Sequence, residues 1–139
     1  MAICFNPPGL WGRQGGSFSQ GVVQPEGRVV YCTGQVAWGE DNKVVGKGDV
    51  AAQARHCLAR AEIVLGAVGG RLDDIVSMTI FYTDPAQIPV IGTVRQELFD
   101  PERAPVSIFI QVAGLVHPEL MVEFVPIAVV PHARYREPA

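Results

Sequence analysis

The stretch from Leu120 to Val130 is apolar on both sides of an extended chain. Leu120, Val122, Phe124, Ala128 and Val130 fall on one face; Met121, Val125, Ile127 and Val129 fall on the other, together with Glu123. A strand that is apolar on both faces must be covered on both. The two helices predicted below are enough for one face. Little chain remains for the second, so another subunit is expected to cover it. Composition points the same way. Of the 139 residues, 48% are hydrophobic and only 18% charged, against about 25% charged in an average soluble domain. Mean hydropathy is +0.21. No apolar run approaches the roughly 18 residues of a membrane span. The start, MAICFNPPGLWG, has neither a basic n-region nor an apolar h-region, so no signal peptide and no membrane partner are expected.

The length suits one domain over 1–139. Residues 1–16 are rich in Gly and Pro and are expected to form an arm. Phe18 to Val23 and Arg28 to Ala37 read as two strands joined by the turn-like Gln24-Pro25-Glu26-Gly27. Residues 49–68 predict a helix with Val50, Ala54, Cys57, Leu58, Ala61, Val64, Leu65 and Val68 on one stripe and Gln53, Arg55, Arg60 and Glu62 off it. Asp49 is its N-cap and Gly69-Gly70 its stop. Ile75 to Thr83 is β-branched and aromatic and predicts a strand, broken at Asp84-Pro85. A shorter helix follows over 87–99, with Ile88, Ile91, Val94, Leu98 and Phe99 as its apolar side and Asp100-Pro101 as its end. Strands over 106–113 and 120–130 close the chain, and a polar tail over 131–139 is expected to fray. The order β-β-α-β-α-β-β predicts an α+β sandwich, with two helices on one face of one mixed sheet.

Glu123 is the most conspicuous candidate for chemistry. A carboxylate on an apolar strand face costs several kcal/mol to bury unless it is bonded or neutralised. It reads either as a general acid/base or water-orienting group with a raised pKa, or as a carboxylate near the sheet edge or hydrogen-bonded to backbone. In Tyr31-Cys32-Thr33-Gly34-Gln35, a glycine inside a strand marks a bulge, a close approach or a simple packing position. Gly15-Gly16-Ser17-Phe18-Ser19-Gln20-Gly21 precedes a strand rather than a helix and lacks a Lys-Ser/Thr ending, so it is no phosphate loop. There is no G-x-S-x-G, and Ser107 sits inside a strand. His56 and Cys57 are adjacent on a helix and diverge by about 100°. Cys4, Cys32 and Cys57 form no disulfide framework; Cys32 and Cys57 read as buried thiols of a reducing, cytoplasmic setting. His56, His117 and His132 have no metal-ligand spacing, and neither a metal nor a cofactor is called for. A net charge of −3 with no basic cluster argues against nucleic-acid binding.

Four stretches, taken in order, resemble the YjgF family, also called the Rid (reactive intermediate deaminase) or L-PSP endoribonuclease family. They are Phe18-Ser19-Gln20-Gly21; Thr33-Gly34-Gln35-Val36; Ala52-Gln53-Ala54-Arg55 with Leu58 and Gly69-Gly70-Arg71-Leu72-Asp73-Asp74-Ile75-Val76; and Gln111-Val112-Ala113-Gly114-Leu115 followed by Val122-Glu123. The resemblance implies a chorismate-mutase-like fold and a homotrimer whose sheets face inward, with clefts between subunits. It places Glu123, Thr33, Gly34 and Phe18 at such a cleft. In the deaminating branch a strand arginine grips the substrate carboxylate; that position is Ser107 here. An asparagine of the branch falls on Gly92, and its opening tyrosine is Phe18. Phe109, on the strand of Ser107, counts with them as substrate-binding. The resemblance therefore implies a catalytic Glu123 in a more neutral, more open pocket, unless Arg13, Arg95 or Arg103 reaches in.

The expected function is hydrolytic deamination of a reactive enamine, imine or related small metabolite, and not general 2-iminoacid deamination. The alternative is a non-catalytic trimer that binds a small molecule. Ribonuclease activity, which the family's older name denotes, fits poorly with a sequence pI of about 5.5.

Overall fold

Helix α1 (Val50–Gly66) forms where the apolar stripe predicts it. The Asp49 carboxylate accepts from the Ala52 N–H at 3.0 Å, and Gly69, at φ +84°, turns the chain after the helix. The predicted stripe changes at two places: Val64 is exposed, and Gln53 is fully buried. Its amide nitrogen donates to the Gly46 and Glu119 carbonyls, and its amide oxygen accepts from the Met121 N–H. With every group bonded to backbone, the buried amide ties the loop before α1 to the entry of the last strand.

The computed structural model describes residues 2–13 and 16–139; Met1, Gln14 and Gly15, which belong to the expected arm and its glycine run, lie outside the described residues. The strands among the described residues are β1 (Ile3–Phe5), β2 (Gly21–Val23), β3 (Arg28–Tyr31), β4 (Ile75–Tyr82), β5 (Val106–Gln111) and β6 (Val122–Val130), with helix α2 (Ile88–Leu98) between β4 and β5. The main sheet is mixed, in the order β3-β6-β4-β5. Only β4 and β5 run parallel. Both helices cover one face, giving the expected α+β arrangement. Met78, Ile80, Phe124 and Val122 pack there against Cys57, Leu58, Ile91 and Val94.

Three local expectations change. The first two predicted strands do not pair with each other. β2 pairs instead with β1, from the expected arm, in a separate two-stranded ribbon. The Phe5 ring lies directly on Gly21, where an added Cβ would overlap it. The arm thus satisfies the β2 backbone that a β2–β3 hairpin would otherwise have paired. On α2, Leu98 points outward and Arg95, at 2% exposure, takes an inward place. The tail is docked rather than frayed. Arg134 donates to the Asp74 carboxylate at 2.6 and 3.0 Å and to the Gly69 carbonyl. Arg136 bonds the Val68 and Gly66 carbonyls, and Tyr135 lies under the Arg28 guanidinium.

The opposite face of the sheet carries Val29, Tyr31, Thr79, Phe81, Ile108, Ile110, Val125 and Ile127 and has no helix over it. Tyr31 is 76% exposed and Ile108 54%. No described helix is long and apolar enough to cross a membrane.

Candidate functional site

The strand β3 is interrupted where the sequence places Thr33-Gly34. Tyr31 faces Ile127, and the Cys32 N–H donates to the Pro126 carbonyl. Pairing resumes with Gln35 opposite Phe124. Thr33 and Gly34 therefore oppose the single residue Val125, which makes a β-bulge. At that bulge Gly34 meets Glu123: an added Cβ would overlap the Glu123 carboxylate. Both meanings of a strand glycine, bulge and close approach, hold at once. Glu123 is partly buried, and burial pushes its carboxyl above the usual carboxylate range. The Gln35 amide donates to the Thr33 carbonyl at 3.1 Å and braces the bulge.

The other predicted positions gather elsewhere. The Ser17–Ser19 segment runs beside the entry to β5: the Ser19 N–H donates to the Pro105 carbonyl and its hydroxyl to the Ala104 carbonyl. This brings Phe18 next to Ser107 and Phe109. With Gly92 of α2, they line a cleft of about 720 Å³. Its walls are completed by residues the sequence reading did not place there, including Trp11, Ser17 and Ile88, and by Arg95, one of the three arginines it named as able to reach in. Trp11 comes from the arm, and its ring lies 5.2 Å from that of Phe18. Arg95 sets the character of the cleft. It donates to the Ser107 hydroxyl at 2.6 Å and to the Ser17 hydroxyl at 3.1 Å, and its guanidinium lies 4.8 Å over the Phe109 ring. The pocket is therefore not neutral. Where the resemblance implied a missing arginine at Ser107, an arginine from α2 stands bonded to Ser107. Of the other two candidates, Arg13 bonds the Pro101 carbonyl and Arg103 lines a different hollow with Arg71, Asp74 and Arg134.

The two groups of residues cannot meet within one copy. Ser107 pairs with Met78 and Met78 with Pro126, so Ser107 points to the helix-covered face. Glu123 is three residues from Pro126 on the same strand and points to the open face. One side of the sheet holds Thr33, Gly34 and Glu123; the other side and its edge hold Phe18, Gly92, Ser107 and Phe109. The thiols take no part. Burial raises Cys57 to about 12, with the Glu123 charge adding to it, and Cys32 is raised by burial as well. Both stay protonated and inert.

Comparison with known proteins gives the family. Residues 13–130 match the family described as endoribonuclease L-PSP. The chain is 40% identical over 100 residues to the 3-aminoacrylate deaminase RutC of Acinetobacter baylyi, covering 72% of this chain and 78% of that protein. Its fold is similar to that of YyfB, a Rid-family protein of Yersinia pestis, with a TM-score of 0.85 and 28% identity over 93% of this chain and 98% of the other. It is also similar to Rv2704 of Mycobacterium tuberculosis, a YjgF/YER057c/UK114 family member, with a TM-score of 0.64 and 29% identity over 94% of this chain and 100% of that one. By its order of motifs, its fold and these relatives, the chain belongs to the YjgF/Rid, or endoribonuclease L-PSP, family.

Proposed function

We propose that the protein is a hydrolytic deaminase of a small reactive enamine or imine. The reaction runs at a cleft completed between copies of a homotrimer. The observation that carries this reading is Glu123: a carboxyl held against the Gly34 bulge, partly buried and with a raised pKa, in a chain 40% identical to a 3-aminoacrylate deaminase. Phe18, Thr33, Gly34, Gly92, Ser107 and Phe109 are the proposed substrate contacts.

The chemistry needs a proton in two places. An enamine first takes a proton on carbon and becomes an imine. Water then adds to the imine carbon, and the C–N bond of the resulting aminoalcohol breaks to release ammonia and leave a carbonyl. A carboxyl with a raised pKa suits this task, because it holds a proton more readily than an ordinary carboxylate, can give it to nitrogen and then take one from the attacking water. No cofactor is required for these steps. The uncovered apolar face supports the trimer: it would bury Tyr31, Ile108, Ile110 and their neighbours against other copies and bring Glu123 of one copy towards the cleft of the next.

The cation of this pocket comes from Arg95 rather than from position 107, so substrates shaped for a strand arginine should fit poorly. Freshly generated 2-iminoacids should release ammonia slowly, and a 3-aminoacrylate-type enamine faster. Glu123→Gln should lower turnover on the better substrate by at least about a hundred-fold. Unchanged turnover in that variant removes Glu123 from the mechanism. Ligand-induced thermal stabilisation without any ammonia release supports a binding protein instead.

A further inference from the structure

The arm holds a tryptophan over the cleft. Trp11 is 67% exposed, whereas Phe18, whose ring lies 5.2 Å away at 41°, is buried. The arm is fixed on both sides of this indole. Strand β1 pairs with β2, and the Asn6 side-chain oxygen accepts from the Gln20 N–H at 2.8 Å. The Gln20 amide donates to the Trp11 carbonyl at 3.4 Å, and Arg13 donates to the Pro101 carbonyl at 3.1 Å. Trp11 also lies outside the residues 13–130 that match the family. The indole is therefore a wall that the arm of this chain adds to a cleft built by the family fold. With Phe18, Ile88, Pro89 and Phe109 it gives the cleft an aromatic and aliphatic side. Size points the same way. The cleft holds about 720 Å³, within the roughly 300–1,000 Å³ of sites for drug-sized molecules. An enamine as small as 3-aminoacrylate takes on the order of 100–200 Å³, at the roughly 30 Å³ that one water occupies in the liquid. Such a ligand fills a fraction of the cleft and leaves most of the apolar wall uncovered.

We propose that Trp11 is a specificity-determining residue, which selects enamines or imines carrying a flat unsaturated or aromatic substituent that lies against the indole. An indole face favours offset-stacked or edge-on aromatic partners and buries a large apolar area. It does so at low entropic cost, because the ring has only two side-chain torsions and the arm is already anchored. This rests on the hydrolase reading and deepens it by naming the substituent on the substrate, but its first test is a binding measurement that needs no turnover.

The probes are trans-cinnamate and crotonate, measured by calorimetry on the intact protein, crotonate by displacement of cinnamate. They share a carboxylate and a double bond and differ by phenyl against methyl, so whatever holds the carboxylate cancels in their ratio. Cinnamate should bind saturably and at least about ten-fold more tightly than crotonate. Trp11→Ala should cut that ratio by about ten-fold, weakening cinnamate while crotonate changes by no more than about two-fold. Trp11→Phe, which keeps an aromatic face, should restore most of the ratio. On turnover, Trp11→Ala should lower kcat/KM for a phenyl-substituted enamine relative to its methyl-substituted counterpart by a similar factor. An unchanged ratio in Trp11→Ala, an equal loss of both probes, or no saturable binding of cinnamate would each overturn the assignment. A Trp11→Ala chain that sediments as a smaller species than the wild type would overturn it too, since the indole would then be a contact between copies. Absence of turnover with the binding ratios intact would overturn only the hydrolase reading.

Discussion

Glu123 shows how one residue is tuned by its neighbours on the strand and across it. It sits between Val122 and Phe124, both fully buried, but its own side chain emerges on the uncovered face beside Gly34. Burial raises its pKa, so between the ordinary glutamate value, about 4.3, and its own higher value the folded chain holds more protons than the unfolded one. Stability then falls as pH rises through that window. Glu123→Gln removes this cost: its melting temperature should exceed that of the wild type at pH 7, and the difference should close as pH drops below the ordinary glutamate range. An equal difference at both pH values would show that ionisation of Glu123 is not the cause. Much of this was legible in the sequence, because one acid among apolar residues at alternating spacing is visible without coordinates. Arg95 was less so. Helical periodicity assigns charged residues to the solvent face, and nothing in the spacing reveals that hydroxyls from residues 17 and 107 wait on the inner side.

The elements divide into those that carry their own instructions and those that depend on distant chain. Helix α1 belongs to the first kind: its stripe, its Asp49 cap and its Gly69 turn are all local. Strands β4 and β6 follow in the same way from alternation and β-branched content. The β1–β2 ribbon and the C-terminal tail belong to the second. Strand β1 is three residues in a stretch rich in Gly and Pro and becomes a strand only because β2 lies beside it. The tail reads as polar and loose, yet Arg134 closes on Asp74, whose side chain is only 8% exposed. The hydrogen bond to Asp74, with the charges of Asp74 and Asp73 beside it, raises the Arg134 pKa above its usual value. Arg134→Ala leaves that buried carboxylate without its cation, bonded only to the Arg71 N–H, and should cost about 1.5–3 kcal/mol in chemical denaturation, the range for hydrogen bonds to charged groups. A loss below about 0.5 kcal/mol, the usual surface value, would mean that the tail only rests on the domain.

At the scale of the whole molecule, the sheet is a partition. It keeps Glu123 and the bulge on one side and the Arg95 cleft with Phe18, Gly92, Ser107 and Phe109 on the other. Part of the apolar excess of the composition lies on the Glu123 side, where Val29, Tyr31, Ile108 and Ile110 are exposed. A homotrimer that buries this face would join the halves of the site from different copies, which is the central claim. Two variants test it. Glu123→Gln removes the proposed acid. Gly92→Phe fills the cleft from α2, where a new Cβ meets no heavy atom within 4 Å and the fold need not shift. Each alone should be inactive in ammonia release from a 3-aminoacrylate-type enamine. Co-assembled in equal amounts in a closed ring, they should regain about one quarter of wild-type activity, since that share of clefts would pair an intact Glu123 with an intact Gly92 from the neighbour. Mixed assemblies, verified by differently tagged copies, that stay as inactive as their parents would contradict a site shared between subunits.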